Sequence, residues 1–339
     1  MKAVVLKQTG HSEHLSENIS IEDIPLPEIN EDEVLIKIQS ASLNHRDLFI
    51  AEGLYSKIKL PVVLGSDGAG IIHTKGNKVK DFIPGDEVII NPGMNWGDNE
   101  SFQSKDFKIL GMPDNGTLAE YVKINKDYVY KKPTHLTFEE ASSFPLAGVT
   151  AFRSLFKKAE IKKSENVLIT GIGGGVATIA LVYALKAGAN VFVSSGHDHK
   201  IEMAISLGAN GGVNYKNNDW DKEILKLAGN NINVVIDGSG GDNIQKCVDL
   251  CSYGARIICY GATSGNIKEL NIHKVYWKQL KLKGSTMGSQ KDFEDMLSFI
   301  NEFNVRFVID KVFTFNNVDK AFERMSRSDQ FGKIIISIK

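Results

Sequence analysis

The chain has 339 residues, 42% hydrophobic and 24% charged, long enough for two domains with separate cores. Its net charge of −1 supplies no basic field for nucleic acid and no polybasic segment for a membrane surface. No apolar run approaches the roughly 18 residues of a membrane span.

The first 125 residues read as β-rich. MKAVVL opens as a strand and shows no secretory leader. EVLIKIQSAS alternates Val34, Ile36 and Ile38 against Leu35, Lys37 and Gln39, the period of a strand. Next comes SLNHRDLF, which places Asn44, His45, Arg46 and Asp47 in succession. It reads as a metal site, a catalytic cluster or a polar helix start. PVVLGSDGAGII, GDEVIIN and GTLAEYVKI are short strands broken by turn residues, the pattern of a small barrel-like domain. Between the last two, residues 91–116 are polar and aperiodic and read as a surface lobe.

Near residue 130 the period changes. LTFEEASSFPLAGVTAFRSLFKKA is helical, with Thr137 and Glu140 spaced as a capping box. A βα rhythm follows. NVLIT, NVFVSS, INVVIDGSGG, GARIICYGAT and QLKLKGSTMG are strands separated by helices, which argues a parallel, doubly wound sheet. The remainder alternates helix KDFEDMLSFINEF, strand DKVFTF, helix VDKAFERMS and strand GKIIISI, and can return to the first domain. The cysteines are Cys247, Cys251 and Cys259, too few and too late for a disulfide framework, so a reducing cytoplasm is expected. Cys247 and Cys251 read as buried small hydrophobes, with a metal or redox pair as the alternative.

LITGIGGGVATIAL sets Gly171, Gly173, Gly174 and Gly175 between a buried strand and an apolar helix. Glycines there permit a tight turn and close backbone approach, and the helix N-terminus holds a pyrophosphate. The next strand ends in Ser194 and Ser195, where an NAD site expects an acid, and Lys200 follows. Small neutral residues with a nearby cation favour a 2′-phosphate, hence NADPH. Asp198, just beyond the strand, leaves NADH open.

Together SLNHRD, LGSDGAG, PGDEV, GTLAEYV, PLAGVTAF, TGIGGGVA, VVIDGSGG and LKGSTMG resemble the medium-chain dehydrogenase/reductase superfamily over the whole chain. The resemblance implies an α/β protein. A GroES-like β-rich catalytic domain (1–128 and 285–339) joins a Rossmann domain that binds the nicotinamide cofactor (129–284), commonly in a homodimer or homotetramer. In zinc-dependent members, cysteine, histidine and cysteine ligands occupy the positions of Asn44, Ser66 and Leu146, and a glutamate that of Asp67. None of the three ligands is present, and residues 91–116 lack the four cysteines of the structural zinc lobe. The chain therefore resembles the zinc-independent quinone oxidoreductase branch, and no metal is expected.

Without a Lewis acid the suited substrates are already electrophilic: quinones and α,β-unsaturated carbonyls. The resemblance assigns Asn44 as hydrogen-bond donor near the substrate carbonyl and Tyr55 as donor or proton source. Arg46 is a partner for cofactor phosphate or an acidic neighbour. Asp47 is either catalytic or a holder of its helix turn, and His45 is a candidate acid. For the cofactor it carries over Thr150 on the nicotinamide side and Gly174 to Ala177, Val176 included, at the pyrophosphate. Tyr215 falls by the adenine ribose, and Ser239, Gly261, Ala262 and Thr263 at strand ends. Met287 and Gly288 lie beyond the last parallel strand. Two alternatives stand beside the NADPH-dependent quinone or enone reductase. One is a zinc-free alcohol or aldehyde dehydrogenase. The other is an NADPH-binding redox sensor with little turnover.

Overall fold

A computed structural model describes residues 1–10 and 18–338. The chain divides into two compact units, one of Met1–Ala147 with Gly288–Lys339 and one of Gly148–Met287. Residues 129–147, assigned from sequence to the Rossmann domain, belong to the first unit, and residues 285–287, assigned to the catalytic domain, belong to the second. In the former, strand Val129–Lys131 pairs with Glu87–Ile90, and helix Phe138–Ser142 lies on strands Glu33–Ser42 and Asp67–Lys75.

Among the described residues, the first unit's main sheet runs in the order Val129–Lys131, Glu87–Ile90, Asp67–Lys75, Glu33–Ser42, Lys333–Ser337, Ile309–Thr314. Tyr121–Asn125 also pairs with Glu33–Ser42. A smaller sheet holds Ile19–Asp23, Lys2–Leu6 and Val62–Val63. Strand Glu33–Ser42 carries the alternation read from sequence: Val34, Ile36 and Ile38 enter the core beside Leu6, Ile72, Val122 and Ile336. Its pairing with Asp67–Lys75 shifts register twice, between Leu35 and Ile36 and between Ile38 and Ser40. Its last residue, Ser42, stands in register with Asp67 on one side and Ile335 on the other. The late strand thus delivers Lys333 to the neighbourhood of Asn44.

The helical stretch beginning at 138 comes in three pieces. Phe138–Ser142 is started by the Thr137/Glu140 capping box. Pro145, suited to a first helical turn, opens Pro145–Phe152, and Arg153–Lys158 continues as a π-helix.

The second unit holds a six-stranded sheet, all parallel, in the order Gly211–Asn214, Asn190–Ser195, Asn166–Ile169, Ile232–Asp237, Cys251–Cys259, Lys281–Gly284. Parallel sheets are covered on both faces, which is why the central strands Asn190–Ser195, Asn166–Ile169 and Ile232–Asp237 are nearly continuous buried runs. Leu168, Phe192, Val235 and Ile257 pack with Trp220 and Ile224. Cys247 ends up in helix Asn243–Leu250 and Cys251 opens the following strand. Both are buried in that cluster, and burial pushes the Cys251 thiol up to about 12. Among the described residues no helix is long and apolar enough to cross a membrane.

Candidate active site

In the first unit the site is built around the entrance of helix His45–Ala51. Asn44 is its N-cap, and Asp47, three residues on, returns a carboxylate to the backbone N–H of Asn44 at 2.8 Å. Asp47 also accepts the Gly65 N–H at 3.2 Å. Burial pushes its carboxyl up, opposed chiefly by the Arg46 charge and the Asn44 N–H.

The Asn44 side chain reaches two groups from distant strands. Its Nδ2 donates to Asp67 Oδ2 at 2.9 Å, and its Oδ1 accepts from Lys333 Nζ at 2.8 Å. Lys333 also donates to Asp67 Oδ2 at 3.0 Å, closing a triangle of cation, carboxylate and amide. Asp67 is fully buried and Lys333 is 3% exposed. Asp67 is further satisfied by the backbone N–H of Leu146 at 2.7 Å and by Ser42 Oγ at 3.1 Å. A carboxylate taken out of water requires such partners.

Sequence reasoning missed Lys333 and Ser42. The signal for Lys333 was a lysine heading an otherwise apolar strand, KIIIS, where a charge is buried and must be paired.

Arg46 is turned elsewhere. It donates to Ser66 Oγ at 2.7 Å and to the carbonyls of Leu110 and Met112 at 2.8 and 3.3 Å. Its guanidinium carbon lies 5.4 Å from the centroid of the half-buried Tyr55 ring. Residues 91–116 are therefore only partly a surface lobe: Trp96, Leu110 and Met112 are buried beneath it, and Ser289 Oγ bonds Glu100.

Burial, and then the Lys333 charge, lower the His45 pKa below its ordinary 6.5. This group's contribution to stability is thus complete above about pH 6.5 and is lost as pH falls through the depressed folded value. We expect His45 followed by NMR to titrate below that value, and Lys333→Met to raise its pKa part of the way. A pKa at or above 6.5 in the intact protein would contradict this electrostatic picture.

The residue chemistry does not suit zinc. Positions 44, 66 and 146 offer an amide, a hydroxyl and an alkyl side chain, and an ammonium already contacts Asn44 and Asp67. Among the described residues no group of three or more His, Cys, Asp or Glu is placed to hold a metal.

In the second unit the chain reverses its direction of sheet building at strand Asn166–Ile169, which has Asn190–Ser195 on one side and Ile232–Asp237 on the other. A doubly wound sheet binds ligands at the carboxyl end of such a switch point. The glycine run sits there. Gly171 and Gly173 take φ of +62° and +129°, open to glycine and strained for other residues. Gly174 caps helix Gly175–Lys186, whose first turn contains Val176 and Ala177. An added Cβ at Gly171 or Gly174 would meet nothing within 4 Å, so no packing inside the protein requires these glycines. Open space over a helix N-terminus fits a dinucleotide's phosphates.

Other expected cofactor residues share this carboxyl edge. Ser195 ends its strand, buried, and its Oγ accepts the His197 N–H at 3.3 Å. Lys200 is buried in helix Asp198–Ser206. Asp198 opens that helix and accepts from Asn214 Nδ2 at 2.8 Å. Tyr215 is half open, and Gly196 admits its hydroxyl: a Cβ there would come 2.7 Å from Tyr215 Oη and 3.0 Å from Lys216 Cε. Lys216 is a second cation that sequence reasoning passed over.

Ser239 Oγ donates to the buried Asp237 carboxylate at 2.6 Å, which also receives Thr170 Oγ at 2.5 Å and Gly240 N–H at 2.7 Å. This brace ties the glycine-run turn to the next loop, and neither Thr170 nor Asp237 was singled out beforehand. The Gly261–Ala262–Thr263 turn leans on the same loop, where a Cβ at Gly261 would lie 2.7 Å from the Gly238 carbonyl oxygen. Thr150 and Met287 are buried together, Oγ1 to Sδ 4.0 Å. Gly288 falls in the first unit.

Two family profiles match the chain. The alcohol dehydrogenase GroES-like domain covers residues 30–134, and the zinc-binding dehydrogenase profile covers residues 175–302. A zinc-type alcohol dehydrogenase-like protein of Schizosaccharomyces pombe is 36% identical over 94% of each chain. An acryloyl-coenzyme A reductase of Sulfurisphaera tokodaii is 27% identical over 99% of each. The crystal structure of an NAD-dependent alcohol dehydrogenase superposes with TM-score 0.94 at 33% identity, covering all of both chains. Fold, profiles and relatives agree, and the chain belongs to the medium-chain dehydrogenase/reductase superfamily, with a GroES-like domain and a Rossmann-like parallel sheet.

Proposed function

We propose that this protein is a zinc-independent, NADPH-dependent oxidoreductase that reduces quinones or α,β-unsaturated carbonyls. The observation that carries the reading is the Asn44–Asp67–Lys333 triangle, in which an amide stands at a position that the family resemblance gives to a zinc-ligating cysteine and is held by an ammonium and a carboxylate. A site with a fixed ammonium and an amide donor, and no Lewis acid, stabilises charge on an acceptor that already delocalises it. The relative named for acryloyl-coenzyme A carries such an acceptor in its name.

A nicotinamide cofactor, once bound, would supply hydride chemistry. The chain's own residues position and stabilise. The N-terminus of helix Gly175–Lys186 would hold the cofactor's phosphates, and Thr150 and Met287 would line the nicotinamide. Asn44 uses one of its two amide hydrogens on Asp67 and keeps the other for the substrate oxygen. Tyr55 donates a hydrogen bond or a proton to the same substrate. Arg46 and Asp47 hold the helix entrance through the bonds described above.

The test is consumption of reduced cofactor against a panel of quinones, enones, aldehydes and alcohols, with metal content measured on the same protein. Turnover of quinones or enones that survives chelation supports the reading. Activity confined to alcohols, lost together with stoichiometric zinc, overturns it. A second reading is alcohol or aldehyde oxidation without zinc: two of the relatives are named for alcohol, one of them as zinc-type, and the same panel with its metal analysis separates it.

Cofactor choice rests on Ser195 and Lys200. A 2′-phosphate bonded by both gains about 1.5–3 kcal/mol per charge-assisted bond, trimmed by solvent. We expect NADPH to be preferred by about one to three powers of ten in kcat/KM, and Ser195→Asp to reverse much of this. Equal use of both cofactors by the unaltered protein would refute the assignment.

Assembly as a homodimer in the cytoplasm completes the proposal. Strand Lys281–Gly284 is an edge of its sheet, and Tyr253, Ile272, Tyr276 and Trp277 are exposed in the same unit. An open edge beside exposed aromatics is suited to a second copy. Light scattering on the purified protein reads the assembly state.

A further inference from the structure

We propose that Lys333 is a positioning residue of this site: it fixes the direction of the Asn44 amide and cancels the Asp67 charge, so that the free Asn44 N–H faces substrate oxygen. The identity of the substrate rests on the reductase reading above; the geometry does not.

Hydrogen-bonding chemistry leaves the amide one orientation. A lysine ammonium only donates and an ionised carboxylate only accepts. The Asn44 oxygen must therefore face Lys333 and its nitrogen Asp67, as the 2.8 and 2.9 Å contacts have it. Oxygen and nitrogen of an amide are otherwise hard to tell apart, and here the neighbours decide. One N–H remains, with its direction set by two bonds on the same plane.

The charge argument is separate. Asp67 is fully buried beside the amide, and its negative charge opposes an oxyanion forming nearby. Among the described residues Lys333 is the one cation in ion-pair contact with it. Arg46 spends its guanidinium on Ser66, Leu110 and Met112. The Asp47 carboxyl is spent on the Asn44 and Gly65 N–H groups, and His45 is held toward its neutral form. Removing Lys333 therefore leaves the amide anchored on one side only and a buried carboxylate uncompensated.

The test is a double-mutant cycle on the full chain with Asn44→Ala, Lys333→Met and the two combined. It uses the most rapidly reduced acceptor of the panel, with cofactor binding followed by fluorescence. Each single variant should lower kcat about 100-fold, the scale of losing one oxyanion donor, with cofactor affinity retained. The double variant should lose little more than either single one, because both act through one N–H. Lys333→Arg should recover part of the loss. Additive losses, or a Lys333→Met that turns over normally, would overturn the proposal.

A second readout needs no turnover. In the intact protein the Asn44 side-chain amide should give two well-resolved, slowly exchanging proton signals, and Lys333→Met should collapse that protection. Unchanged amide signals also overturn the proposal. If the protein reduces nothing in the panel, the reductase reading fails and the amide signals still decide the role of Lys333. Should Lys333→Met not fold, Lys333→Met with Asp67→Asn leaves no unpaired charge and serves both measurements.

Discussion

Gly174→Asp is expected to abolish useful cofactor binding while leaving the fold as stable as before. Gly174 has extended backbone, φ −73° and ψ 156°, at the N-cap of helix Gly175–Lys186. Aspartate is among the best residues for that position and gains a few tenths of a kcal/mol over glycine. A Cβ there meets nothing within 4 Å, so no steric cost offsets the gain. The carboxylate, however, takes the helix N–H groups intended for phosphate and repels the pyrophosphate. Two unit charges about 4 Å apart interact by about 4 kcal/mol at the effective dielectric of a protein surface. Allowing for screening, affinity should fall by about two to three powers of ten. Calorimetric titration with NADPH and a melting curve on the same sample provide the check. Unchanged binding would remove the glycine run from the cofactor site. A large drop in melting temperature would show that Gly174 is needed by the fold.

Asp237→Ala is expected to destabilise the second unit by about 1–3 kcal/mol, the cost of leaving buried donors without their acceptor. Its carboxylate gathers Thr170 Oγ, Ser239 Oγ and the Gly240 N–H. Alanine leaves all three without that acceptor, and Thr170 is itself buried. Asp237→Asn keeps an acceptor oxygen and should cost less. A chain of two units need not melt as one transition, so hydrogen exchange in peptides from 148–287 reads the second unit by itself. Exchange that stays unchanged across the second unit would show that the brace is dispensable.

The glycine run, the capping box at Thr137 and the alternation through Val34, Ile36 and Ile38 were legible because each is written within a dozen consecutive residues. Lys333 was not. Its partners lie 266 and 289 positions away, and no local pattern connects them. Asn44 was readable as an altered ligand position and Asp67 as the neighbour of another, but the ammonium between them required the register that sets Ser42 between Asp67 and Ile335. The lobe of 91–116 misled for a related reason. Its polar composition is real, yet the Leu110 and Met112 carbonyls are held inward by Arg46, so their side chains are buried without any periodicity to announce it. The unit boundary moved past 128 because helix Phe138–Ser142 lies on the first unit's strands, a contact invisible to composition.

The strand bearing Lys333 also dictates an order of events during synthesis on the ribosome. The second unit is one uninterrupted stretch of chain and can close its sheet once residue 287 has emerged. The first unit begins to emerge earlier but cannot finish, because strand Glu33–Ser42 must wait for Lys333–Ser337 to fill its open side. Pairings between such distant segments form slowly, and an unfilled strand edge is a site of aggregation in the meantime. The unit whose strands emerge earlier is thus completed after the second unit, and Asp67 acquires its lysine only once Lys333 has emerged.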